Sequence, residues 1–257
     1  MSIATKPIKG RALLFGLNYE GTSNELRGCV QDVVNIGEYL SRTLQLPVKV
    51  CTDANSTRAL SIVQSLYELA LQSYSESLEF VWIHYSGHGS YVLDRSGDES
   101  DGRDECLVPS DYAKVGLISD DYLEKLFRYF NPKTRVIFVC DACHSGTICD
   151  VKYSWESDTK CAVENVVCAV QARVITLSGC LDNQTSADAY NVLGDGKFSG
   201  ALTSCLLKVL KAPDAAVVRA DAFLLLARLT AELQRAGFPQ RPKLCSTYNL
   251  AREKLFI

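Results

Sequence analysis

Apolar residues along the 257-residue chain fall into two alternating kinds of run. Short, nearly continuous apolar stretches occupy 11–18 (RALLFGLN), 46–51 (LPVKVC), 78–87 (LEFVWIHYSG), 134–143 (TRVIFVCDAC) and 172–180 (ARVITLSGC). Runs of that length and apolar content predict strands covered on both faces. Between them, apolar positions recur at helical spacing. In 26–44 these are Leu26, Val30, Val33, Val34, Tyr39 and Leu40. Asn55 or Ser56 is placed to cap a helix running to about Tyr74, and Ser119 one running through Phe130. Further helices are expected near 199–211 and 219–236, with a short last strand after Pro242. Two polar stretches, 94–105 and 150–169, interrupt the alternation and read as loops.

Strand–helix alternation with buried strands predicts an α/β fold, a mostly parallel sheet with helices on both faces. In such sheets, function gathers at the carboxyl ends of strands. Two chemically loaded segments fall there: SGHG ends the third strand and DACHSG the fourth.

Composition narrows the function. Hydrophobic residues make up 47 % of the chain, enough for one core in one domain over 1–257. A net charge of −3 and a pI near 5.7 argue against nucleic acid as the main partner. No run reaches the length of a membrane span, and MSIATKPIKGRALLFGL has no secretory pattern, so a cytoplasmic, membrane-free protein is expected. Several of the eleven cysteines, such as Cys140 and Cys205, sit inside apolar segments. They read as buried thiols in a reducing compartment. The cysteines and three histidines show no zinc-finger spacing.

A cysteine nucleophile needs a lowered pKa or a neighbouring base. Cys143 ends an apolar strand and precedes His144-Ser145-Gly146. His88 ends another strand between Gly87 and Gly89, and glycine lets backbone approach a substrate closely. His84 lies inside an apolar strand and reads as structural. His144 adjoins Cys143, but neighbouring side chains on extended chain diverge, which makes it a poor base. Residues 94–105 hold six acids: Asp94, Asp98, Glu99, Asp101, Asp104 and Glu105. Such density suits either a hard cation or a solvated loop, and its spacing is not that of an EF-hand.

Six segments in order carry a resemblance to the metacaspases, caspase-like cysteine peptidases. They are GLNYEGTSNELRGCVQD (16–32), HYSGHGS (84–90), GDESDGRDECLVPSD (97–111), ISDDYLEKL (118–126), DACHSGT (141–147), and LSGCLDNQTSAD (177–188) followed by FSGALTSCLLKVL (198–210). The resemblance spans about residues 10–257. It implies a caspase-haemoglobinase-like three-layer sandwich and an endopeptidase cutting after Arg or Lys. It implies His88 and Cys143 as catalytic dyad, with the backbone N–H groups of Gly89 and Cys143 as oxyanion hole. It implies Cys29, Asp32, Ser86 and Asp141 as the pocket for a basic side chain. It further implies calcium as activator, on Asp104, Asp120, Asp121 and Asp150.

The chemistry agrees, since a substrate Arg or Lys is matched by carboxylates. Taken without the resemblance, Asp32 also reads as a solvated helix face and Asp141 as a capping residue. Asp120 and Asp121 also read as first-turn acids favoured by a helix dipole. Lys152 and Lys160 are candidate self-cleavage sites in the segment about 150–171, which joins a large-subunit-like part (1–150) to a small-subunit-like part (172–257). The expected partners are protein or peptide substrates with Arg or Lys at the cleavage site, and the chain is expected to be a monomer. Ala142 stands where the family often has Ser, and at most ten residues precede the first strand, so a type I-like member without a prodomain is expected. The alternative, a catalytically weak regulator or scaffold, would be signalled by loss of a dyad residue, and both are present.

Overall fold

Strands form where the apolar runs are continuous, and helices where the apolar positions are spaced. In chain order the elements are β1 (Gly10–Gly16), α1 (Cys29–Thr43), β2 (Val48–Cys51), α2 (Ala59–Ser75), β3 (Phe80–Ser86), β4 (Gly89–Leu93), β5 (Arg103–Leu107), α3 (Tyr112–Val115), β6 (Ile118–Ser119), α4 (Asp120–Phe127) and β7 (Arg135–Asp141). There follow β8 (Tyr153–Trp155), β9 (Cys161–Val163), β10 (Arg173–Ser178), β11 (Asp188–Tyr190), β12 (Phe198–Gly200), α5 (Ala201–Leu210), α6 (Ala215–Arg219), α7 (Ala222–Arg235) and β13 (Lys243–Ser246). The computed structural model describes residues 8–94, 102–142, 148–179, 188–190, 198–253 and 255–257.

The main sheet has the order β2-β1-β3-β7-β10-β13-β8-β9. Its first five strands are mutually parallel, and β13, β8 and β9 each run antiparallel to the neighbour before. The expected three-layer α/β architecture is what forms, with strand parity deciding which face each residue joins. Leu13 and Phe15 of β1, Val81, Ile83 and Tyr85 of β3, and Phe138 and Cys140 of β7 pack with Ile62 and Leu66 of α2 and Leu123 and Phe127 of α4. Their alternates, Ala12, Leu14, Phe80, Trp82, Ile137 and Val139, pack with Val33, Ile36 and Leu40 of α1 and the apolar sides of α5 and α7. Burying one such side chain stabilises by about 1.5–3 kcal/mol. A solvent-exposed i,i+4 pair such as Arg42–Glu38 or Lys125–Asp121 contributes about 0.3–0.5 kcal/mol. The two apolar layers therefore dominate.

Several expectations are corrected. The stretches expected as loops contain strands. β5 begins within 94–105, and β4, β5 and β6 form a small antiparallel sheet of their own. Within 150–169, β8 and β9 make a hairpin that joins the main sheet through β13. Both were hidden by short length and polar neighbours. The first helix starts at Cys29, because residues before it are held by Asn18, whose carbonyl accepts Leu26 N–H and whose Oδ1 accepts Val30 N–H. Neither Asn55 nor Ser56 caps α2. Both are drawn into a turn around Asp53, whose Oδ1 accepts their N–H groups. The N–H of Ala59 is instead met by Asp111 Oδ1 at 2.9 Å, from 52 residues away. Ser119 does cap α4, accepting Tyr122 N–H, and α4 ends at Phe127 rather than Phe130. Asp221 caps α7 by accepting the N–H groups of Phe223 and Leu224.

Seven of the nine described cysteines are buried, and none of the nine is in a disulfide, in keeping with the reading of buried thiols. No helix among the described residues is long and apolar enough to cross a membrane.

Because Asp111 caps α2 from a distant loop, Asp111→Ala should lower unfolding free energy by about 1 kcal/mol, and Asp111→Asn by less. Urea unfolding followed by circular dichroism measures both.

Candidate active site

Parity and register assemble the site. In the parallel pairing of β3 with β7, Ser86 lies opposite Asp141. His88 follows Ser86 by two residues, and Cys143 follows Asp141 by two. Cys143 itself lies outside the described residues. Asp141 and Ala142, its immediate predecessors, are buried beside the end of β3.

His88 is half-buried and held on three sides. Its Nε2 lies 2.7 Å from the backbone oxygen of Asn24. A carbonyl only accepts, so Nε2 carries the proton, and in the neutral imidazole Nδ1 is the basic atom. Asn24 is tethered in turn, its N–H to Thr22 Oγ1 and its side-chain amide to Tyr112 Oη at 2.7 Å. The Tyr19 ring packs against the imidazole at 4.7 Å between centroids. Tyr19 Oη accepts the His88 backbone N–H at 3.0 Å and donates to Val108 O at 2.6 Å. Tyr85 Oη donates to His88 O at 2.9 Å and accepts Val108 N–H at 3.2 Å. Burial raises both phenols far above the ordinary tyrosine range, so they stay neutral hydroxyls. These two tyrosines also explain Gly87. A Cβ there would stand 2.9 Å from Tyr85 Oη and 3.0 Å from Tyr19 Oη. Its smallness serves the clamp on His88.

Gly89 opens β4. Val108 N–H donates to His88 O, which makes Gly89 and Leu107 a non-hydrogen-bonded pair of the β4–β5 ladder. The Gly89 N–H therefore points away from β5, toward the open side of an edge strand.

The four residues expected to bind a basic side chain gather on the α1/α5 face. Ser86 and Asp141 share strand parity with Trp82 and Val139, and Cys29 and Asp32 belong to the buried stripe of α1. Asp32 is 1 % exposed and Asp141 3 %, so neither is a solvated face. Ser86 Oγ donates to Asp32 Oδ2 at 2.6 Å, and the Gly200 N–H, at the start of α5, donates to both Asp32 oxygens at 2.8 and 3.0 Å. Thr203 gives its N–H and hydroxyl to Asp141 Oδ2 at 2.9 and 2.8 Å. The two carboxylates meet at Gly200, where a Cβ would lie 2.2 Å from Asp141 Oδ2 and 2.7 Å from Asp32 Oδ2. The α5 N-terminus favours negative charge there. Ser86, Gly200 and Thr203 are all neutral donors.

The four aspartates expected to hold calcium are spread along a neighbouring seam. Asp104 lies in β5, and Asp120 and Asp121 open α4. Asp150 follows Cys149 where both backbones adopt positive φ. Asp120 is buried and accepts the N–H groups of Glu105 at 2.6 Å and Asp121 at 2.7 Å, while Asp121 pairs with Lys125 at 3.3 Å. Burial, then Asp120 and Asp104, push the Cys106 thiol up to about 12. Oxygen donors suit calcium. Among the described residues, however, no three His, Cys, Asp or Glu side chains converge to hold a metal ion. In this conformation the quartet is not an assembled site.

Lys152 is half-buried beside the Tyr153 ring, and Lys160 sits exposed at the β8–β9 turn, paired with Glu156.

The sequence profile of the caspase domain family matches residues 9–252. Among curated proteins, Metacaspase-1B of Aspergillus oryzae is 29 % identical over 96 % of this chain and 70 % of its own length. Metacaspase-1 of Yarrowia lipolytica is 28 % identical over 93 % of this chain and 62 % of its own. Among solved structures, a Geobacter sulfurreducens protein superposes with a TM-score of 0.66 over 96 % of this chain and 97 % of that one. At 24 % identity this likeness speaks for the fold alone.

The tyrosine clamp gives a stability prediction. Tyr19→Phe keeps the ring against His88 but strips the hydroxyl, and should cost about 1–3 kcal/mol. Combined with Tyr85→Phe the losses should fail to add by more than about 0.5 kcal/mol, because both hydroxyls serve His88 and Val108. A double-mutant cycle in urea tests this, and strict additivity would show that the hydroxyls act separately.

Proposed function

The chain belongs to the caspase domain family and is a cysteine-type peptidase, and from that premise we propose that it cleaves peptide bonds after Arg or Lys with His88 and Cys143 as its dyad. The observation that carries the specificity is the meeting of two buried carboxylates, Asp32 and Asp141, one strand end away from His88. A guanidinium or ammonium entering there gains charge-assisted hydrogen bonds, whereas a substrate Asp meets like charge.

The proposed chemistry follows from which imidazole nitrogen is basic. Nε2–H stays on Asn24 O, so the Cys143 thiol gives its proton to Nδ1. The thiolate adds to the scissile carbonyl carbon. The resulting oxyanion accepts hydrogen bonds from the N–H groups of Gly89 and Cys143, and the outward aim of Gly89 N–H supports its part. Collapse breaks the C–N bond, and the leaving amine takes the proton from Nδ1. A water, deprotonated by Nδ1, then attacks the thioester, releasing the acid and restoring the thiol. While the imidazolium exists, Asn24 O keeps it oriented and partly offsets its charge.

Calcium activation is a separate part of the proposal. It is supported by hard-oxygen chemistry and by Asp120 sharing its influence on Cys106 with Asp104 and on Cys149 with Asp150. Binding would have to bring these acids together. Of the two proposed self-cleavage positions, Lys160 is the more accessible.

The test is hydrolysis of fluorogenic peptides ending in Arg, Lys and Asp, with millimolar calcium or a chelator. The expected result is calcium-dependent cleavage of the Arg and Lys peptides alone, abolished in Cys143→Ala and reduced by at least two orders of magnitude in Asp32→Asn. Cleavage after Asp would sink the pocket assignment. Full activity in chelator would retire calcium and leave the peptidase intact.

A further inference from the structure

Asp141 is held from behind by Thr203 and, through it, by His84. Thr203, in the first turn of α5, commits both its N–H and its hydroxyl to one oxygen, Asp141 Oδ2. A hydroxyl has a single proton. With that proton on a carboxylate, the 3.1 Å contact between Thr203 Oγ1 and His84 Nε2 has the histidine as donor. His84 therefore holds its proton on Nε2, and its Nδ1 is buried with no hydrogen-bond partner among the described residues. The side chain is fully buried in β3, and burial drives its pKa down to about 3, so it stays a neutral donor through the working pH range. The chain of donors thus runs in one direction: His84 Nε2–H to Thr203 Oγ1, and Thr203 Oγ1–H to Asp141 Oδ2.

Two donors from Thr203 on one oxygen restrict rotation of the carboxylate about its terminal torsion. Gly200 crowds the same oxygen from the side, since a Cβ there would stand 2.2 Å away. The plane of Asp141 is thereby set. A fixed plane matters unequally to the two basic side chains. Arginine offers a rigid planar fork that gains most from a carboxylate held in one plane, whereas lysine offers a rotatable point charge that is nearly indifferent to it.

We propose that Thr203, backed by His84, is a positioning residue that sets a preference for Arg over Lys at the cleavage site by locking the plane of Asp141. This rests on the reading of Asp32 and Asp141 as a pocket for basic side chains. Thr203 touches neither substrate nor the reacting atoms and acts through Asp141.

The experiment compares kcat and KM on matched Arg and Lys peptides for the intact chain and for Thr203→Val and Thr203→Ser. The unsubstituted enzyme should favour Arg. Thr203→Val, which keeps shape and loses the hydroxyl, should raise KM for the Arg peptide about tenfold and that for the Lys peptide about twofold or less. The change should fall on KM rather than kcat, and Thr203→Ser should restore the Arg preference. A merely structural role would lower both substrates alike. His84→Leu, which frees the Thr203 hydroxyl to turn away, should shift the Arg/Lys ratio in the same direction and serves if Thr203→Val does not fold. An enzyme that cleaves after Arg and Lys but shows no Arg preference, or whose ratio is unmoved by these variants, overturns this inference and leaves the basic pocket standing. An enzyme that cleaves after neither overturns both.

Discussion

Taking a carboxylate out of water costs several kcal/mol unless its oxygens find donors, and this fold buries two within reach of one glycine. Much else is arranged around that constraint. α5 must begin where it does, so that Gly200 and Thr203 present their N–H groups. Position 200 must lack a side chain. α1 must turn Asp32 inward rather than toward solvent, which its buried stripe of Cys29, Val33 and Ile36 ensures. β3 and β7 must pair with Ser86 against Asp141, because a slip of one residue would send one of them to the opposite face.

The same register divides labour between the two faces of the sheet. Even positions of β3 supply Trp82, His84 and Ser86 to the face carrying the charges, and odd positions supply Ile83 and Tyr85 to the other. Tyr85 and Tyr19 then fix the main chain around His88 from that second face. Recognition and base are thus positioned by opposite sides of one strand. Neither arrangement relies on surface ion pairs. Both use hydroxyls and backbone groups shielded from water, where such bonds keep their strength.

Much of this was legible in the sequence. Continuous apolar strands announced a sheet covered on both faces, and the glycine-flanked His88 and the strand ending at Cys143 fell at the ends where chemistry is expected. Periodicity alone did not decide between a buried and a solvated Asp32. That took the resemblance, and then the stripe of α1. The concealed contacts of the site share one physical cause, pairing across long separations. Asp111 capping Ala59, Asn24 O against His88, and Thr203 beneath Asp141 involve partners 52, 64 and 62 residues apart. A local pattern gives no sign of them. Tyr19 and Thr203 lay inside segments already noted, yet a phenol in a loop and a hydroxyl in an apolar helix turn looked ordinary there. The short strands β8 and β9 were missed because three residues give too little alternation to read.

Those two strands change what the connecting segment is. β8 hydrogen-bonds to β13, and the Trp155 indole donates to Ser246 Oγ at 2.8 Å, so the stretch expected to be a linker is woven into the sheet edge. Severing the chain at the exposed turn near Lys160 would leave each cut end still paired, β8 to β13 on one side and β9 to β8 on the other. A nick there is topologically a new pair of termini rather than a separation. The two fragments would travel as one particle, and only a denaturant would reveal that the chain had been broken.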